Sequence, residues 1–117
     1  MSGINVLLVL VLREAALRST LVARLAMGGA TVWTAQRLDE KLPASIRTPA
    51  VLVTDAESVG AHPGGAVVLR DDPRWRMVVV VTADVVPESP DARLVYIPHG
   101  DAMAALTRAL ESLDRQA

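Results

Sequence analysis

Three side chains able to do chemistry stand at the ends of apolar runs: Asp55 after Ala50–Thr54, Thr82 after Met77–Val81, and His99 two residues beyond Ile97. If each run is a parallel strand, their carboxyl ends converge on one crevice, the usual ligand position of an open α/β sheet. A carboxylate there can take up a phosphoryl group, and an Asp–His–Thr relay can be drawn between the three. Nucleophilic catalysis also needs an oriented base and an oxyanion site, and the chain has no elbow of the G-x-S-x-G kind. His62 lies in a Gly/Pro loop without ligand spacing to His99, so no metal site is expected. Gly60, Gly64 and Gly65 match neither phosphate-loop pattern and follow the third strand rather than the first, which reads as turn geometry. The residues alone therefore predict a non-catalytic domain. Asp55 is expected to cap a neighbouring loop or helix, Thr82 to bond backbone from inside a strand, and His99 to serve on the surface or cap a loop.

The elements that must position these groups alternate along the chain. Ile4–Leu12 is apolar except for Asn5 and reads as a strand buried on both faces. Glu14–Met27 carries Leu17, Leu21 and Leu25 on one stripe, with Gly28-Gly29 as a helix stop. Thr31–Ala35 is a short strand, Leu38–Arg47 a second helix with Pro43 near its start, and Ala50–Thr54 a third strand closing at Asp55. A loop with Gly60, Pro63, Gly64 and Gly65 leads to a short helix near Ala66–Arg70. Met77–Thr82 is the clearest strand, and Arg93–Ile97 the fifth. A final helix runs from an Asp101 cap to about Arg115, with Met103, Leu106, Leu110 and Leu113 on one seam. This alternation predicts an α/β domain: an open parallel sheet covered on both sides.

Composition narrows the partners. The 117 residues fit a single domain, 1–117, with half of them apolar and no cysteine. Net charge is −1 with the signs interspersed, so no nucleic-acid face is expected. The apolar N-terminal run is too short for a bilayer, and no membrane contact and a soluble, cytoplasmic chain are the expectation. Eleven of the twelve cations are arginine, Lys41 being the exception.

Three segments together resemble response-regulator receiver domains, the phosphoacceptor modules of bacterial two-component signalling. Pro49–Asp55 is similar to the family's third strand, which ends in the phosphorylated aspartate. Leu69–Arg76 followed by Met77–Thr82 and Ala83 resembles the passage into its fourth strand, which ends in a Thr/Ser-Ala pair. Ile97-Pro98 stands where the family has Lys-Pro, and Asp55 and Thr82 are 27 positions apart, a spacing normal for the family. The resemblance implies a flavodoxin-like (CheY-like) five-stranded parallel sheet. It also exposes what is missing. Two acidic residues close the family's first strand and hold Mg²⁺, and by this reading Leu10 and Val11 take their places. Ile97 replaces the lysine. Phosphotransfer needs a cation at the developing charge, and two of its three charge-handling elements are gone.

A second departure lies between Thr82 and Ile97, only 15 positions apart. The family has about seven residues more, enough for a helix. Pro87 and Pro90 leave the fourth helix shortened or missing. A bared patch of Val85, Val86, Leu94, Tyr96, Met103, Leu106 and Leu110 is the expected partner surface. The resemblance thus implies a pseudo-receiver without cofactor, acting through protein–protein contact, with a homodimer through the fifth strand and last helix as one form. Two alternatives stand beside it. One is an unorthodox receiver still phosphorylated at Asp55. The other is a small-molecule sensor using the crevice under Leu10, Val11, Asp55 and Ile97.

Overall fold

The computed structural model describes residues 7–38, 50–83, 86 and 91–115. Five parallel strands, β1 (Leu7–Val11), β2 (Thr31–Thr34), β3 (Ala50–Asp55), β4 (Trp75–Thr82) and β5 (Leu94–Pro98), form one sheet in the order β2-β1-β3-β4-β5. This is the flavodoxin-like order, whose direction of winding reverses between β1 and β3. Helices α1 (Ala15–Met27) and α4 (Ala102–Arg115) cover one face, and α2 (Ala56–Ala61) and α3 (Gly65–Asp71) the other.

Strand alternation divides the core in two. Leu8, Leu10, Val51, Val53, Val79, Val81 and Ile97 face α1 and α4, while Val9, Val11, Leu52, Val78, Val80 and Leu94 face Leu69 of α3. No face of β1, β3 or β4 reaches water, which is why these segments read as unbroken apolar runs. β4 begins two residues earlier than its apolar run suggests. Ala50 pairs with Trp75 and Val51 with Met77, leaving Arg76 as an extra residue. This bulge turns Arg76 to solvent and flips Trp75 onto the α3 face.

Local signals explain the ends of the elements. α1 stops at Gly28-Gly29, where Gly29 has φ +89° and the Ala30 N–H donates to the Leu25 carbonyl. Gly64 precedes α3 at φ +84°, and a Cβ there would collide with Val68. The segment Ala56–Gly60, read from sequence as loop, is helical because Asp55 caps it. Asp101 does not open the last helix directly: it closes a single 3₁₀ turn, His99–Asp101, that leads into α4. The expected Leu38–Arg47 helix lies outside the described residues beyond Leu38. So do most of the residues bearing on the shortened fourth helix, although Ala83, Val86 and Asp91–Arg93 are all non-helical.

At the amino edge of the sheet, Asp72 accepts from the Arg74 backbone N–H at 2.9 Å and from its guanidinium at 2.9–3.3 Å. Partial burial pushes the Asp72 carboxyl up, but the Arg74 hydrogen bonds and charge, with a smaller contribution from His62, hold it below its ordinary value. The Arg74 guanidinium lies 5.1 Å over the Trp75 ring, and Arg93 donates to the Trp75 carbonyl at 3.1 Å.

The apolar seam of the last helix faces inward. Leu106 is fully buried, Leu110 nearly so, and Met103 packs against the same cluster. Leu106→Ala is therefore expected to lower the unfolding free energy by about 2–5 kcal/mol, measured by urea denaturation followed by circular dichroism. A neutral result would place the seam at the surface.

Candidate functional site

The carboxyl edge of the sheet carries Asp55, Thr82 and His99, and Asp55 is at its centre. Burial on both faces excludes charge from the body of β3, so the first carboxylate falls where the strand leaves the core. There Asp55 Oδ1 accepts the Ser58 N–H at 2.7 Å, the N-cap interaction that starts α2. Its Oδ2 accepts the Arg13 N–H at 2.7 Å, from the turn that leaves β1. One carboxylate thus ties the β1–α1 turn to the head of α2, with both oxygens engaged by backbone donors. Beneath it, the Thr54 hydroxyl donates to the Val11 carbonyl at 2.9 Å, satisfying the one polar group buried in β3.

Register corrects the assignment of the missing acids. Leu10 pairs with Val53 and Val11 with Thr54, so both lie short of Asp55. The residues that flank Asp55 at the end of β1 are Leu12 and Arg13. Leu10, Val11 and Ile97 are each at most 3% exposed. Leu10 and Ile97 face α1 and α4, and Val11 faces the opposite side, so they do not line a common apolar crevice under Asp55. The apolar metabolite site expected there is not formed.

Arg13 brings a guanidinium where a cation-binding carboxylate was sought. It pairs with Glu57 Oε1 at 3.0 Å. A Mg²⁺ ion needs several hard oxygen ligands free to turn toward it. The Asp55 oxygens are both held by N–H donors, a guanidinium stands alongside, and no cluster of three His, Asp or Glu suited to a metal exists among the described residues. These residues do not fit the ion.

Thr82 is buried on the last rung of β4, opposite Pro98, and Ala83 is exposed. His99 does not meet Asp55 or Thr82. Its Nε2 lies 3.0 Å from Glu14 Oε2, joining the end of β5 to the residue before α1. The Asp–His–Thr relay is therefore not assembled. His62 ends α2 and lines a hollow with Arg13 and Arg37, a grouping that no sequence spacing reveals because its members follow three different elements.

The expected partner patch is divided. Leu94 is buried on the α3 face and Tyr96 half-buried on that side, while Leu106 and Leu110 are in the core under α4. Val86 is exposed, and Val85 lies outside the described residues. What β5 and α4 do share is a groove of about 390 Å³ between Val95, Pro98, Ala105, Arg108 and Ala109. No helix among the described residues is long and apolar enough to cross a membrane. No family model, curated protein or solved structure matches the chain.

Asp55→Ala removes the acceptor of two N–H groups and is expected to cost about 1–3 kcal/mol in urea unfolding. Asp55→Asn, which keeps one acceptor oxygen, is expected to lose less. Equal stability of all three proteins would mean that the carboxylate does not hold the two segments together.

Proposed function

We propose that this chain is a degenerate receiver domain that acts in bacterial signal transduction by protein–protein contact, without phosphorylation, cofactor or catalysis. The observation that carries the reading is the state of Asp55. In a flavodoxin-like sheet it stands at the carboxyl edge of β3, yet its oxygens are committed to Arg13 and Ser58 N–H groups. Attack on a phosphoryl group would require both bonds to loosen beside a guanidinium rather than a metal. A carboxylate bonded to two backbone donors is held in a structural role.

The contact surface we assign is the β5 edge with α4. Among the described residues β5 is the last strand of the sheet and offers one unpaired edge, a natural place for a second strand or chain to add. The groove between Val95, Pro98 and Ala109 lies beside that edge and is lined mainly by apolar side chains. The occupant that satisfies the edge without a new sequence is a second copy of the chain. Both copies would then present the same patch across a two-fold axis.

Incubation with acetyl phosphate and Mg²⁺ is expected to leave the intact mass unchanged. A phosphoryl adduct that disappears in Asp55→Asn would overturn the proposal in favour of a working receiver. Sedimentation velocity over a range of concentrations is expected to show a dimer that Tyr96→Asp returns to monomer. A monomer at every concentration would overturn the second copy as occupant.

A further inference from the structure

The carboxyl edge holds a second feature that the receiver reading does not use. Between the end of β1, the turn after β2 and helix α2 lie two adjoining hollows that share Arg13 and Gln36. The inner one, about 190 Å³, is also lined by Arg37, Ser58 and His62. The outer one, about 660 Å³, continues past Arg18 and Thr34. Among the described residues, neither lining includes an aspartate or glutamate, although acidic residues outnumber basic ones in the chain as a whole. The place is also where the sheet's winding reverses, the position at which open α/β sheets receive ligands.

We infer that this crevice binds a phosphorylated small molecule. The phosphoryl group sits in the inner hollow against Arg13 and Arg37, and the remainder of the molecule extends along the outer one. A guanidinium presents five donors in a planar fork suited to two oxygens of one phosphate. Arg18 is held at the outer hollow by its 2.9 Å bond to the Leu12 carbonyl, which leaves further donors on the same group. Among the described residues two carboxylates stand nearby, and neither prevents binding. Asp55 is turned to two backbone N–H groups. Glu57 holds Arg13 in a pair whose side chains are 52% and 72% exposed, a solvated contact that a doubly charged ligand can replace. His62 adds a ring that donates from either nitrogen according to its tautomer. Shape and charge together favour a compact dianionic head on a larger body, the form of a mononucleotide or sugar phosphate.

The test is isothermal titration calorimetry of the full chain with inorganic pyrophosphate and, separately, with adenosine monophosphate. Saturable one-site binding of at least one probe is expected, weakened about tenfold or more by Arg13→Gln with Arg37→Gln. Arg24→Gln, at an exposed arginine on α1, should leave the affinity unchanged. A tighter nucleotide than pyrophosphate would assign the outer hollow to the body of the ligand, and equal affinities would assign the phosphoryl group alone; both support the site. Because the double variant retains the Arg13 backbone N–H, circular dichroism should show it folded. Should it unfold, the wild-type amide resonances of Arg13, Gln36, Ser58 and His62 must still shift together on titration. No saturable binding of either probe, or equal loss in Arg24→Gln, would overturn the inference. Neither result bears on phosphorylation at Asp55 or on the β5 edge.

Discussion

A parallel strand covered by helices on both sides has no face on which a polar side chain can rest, and β1, β3 and β4 all occupy that position. Their alternating residues go to two separate apolar clusters, so every inward position must be Val, Leu, Ile, Ala, Met or Trp, or else a hydroxyl with a backbone partner. Thr54 meets the second condition through the Val11 carbonyl. Charge is consequently expelled to the two ends of the sheet. The amino end receives Asp72, Arg74 and Arg93 around Trp75, and the carboxyl end receives Arg13, Asp55, Glu57 and His99. The same exclusion that builds the core thus places these charged groups at the two edges.

At the carboxyl edge the decisive competition is for the lone pairs of Asp55. Metal coordination and phosphoryl transfer both need a carboxylate oxygen that can turn toward a cation. Two N–H bonds of 2.7 Å lie at the short end of the usual range and hold both oxygens in place. Arg13 adds positive charge to the same neighbourhood without contributing a metal ligand. The arrangement suits the reception of an anion better than the capture of a divalent cation, and this links the structural role of Asp55 to the cationic hollows beside it.

Much of the fold was legible because the constraint on buried strands leaves a direct trace. Continuous β-branched and leucine runs mark β1, β3 and β4, and the spacing of Leu106, Leu110 and Leu113 marks α4. Less legible were features that depend on pairing between distant segments. The bulge at Arg76 hides the start of β4, since a charged residue breaks the apolar run although the strand continues through it. Helix α2 is too short for periodicity, and its one signal was Asp55 three residues before Ser58. The largest misreading concerned register. A run of leucines and valines does not say which of its members lies beside Asp55, so Leu10 and Val11 were placed where Leu12 and Arg13 stand. The seam of the last helix was seen, but whether it faced a core or a partner depended on which side of the sheet it covered. Likewise Arg13, Arg37 and His62 come together only because β1, β2 and α2 end at one corner.

The double attachment of Asp55 also has a mechanical side. It rivets the β1–α1 turn to the first turn of α2, so the two move as one body unless the rivet breaks. A rearrangement that draws Arg13 inward must therefore pull on α2, and through α2 on α3, the helix that carries the exposed Val67 and Val68. That displacement runs along the face of the sheet opposite α4, while Glu14, next to Arg13, ties the same turn to His99 at the end of β5. One carboxylate thus links the corner of the crevice to α2 and, through the packing of α2 on α3, to the surface that α3 presents.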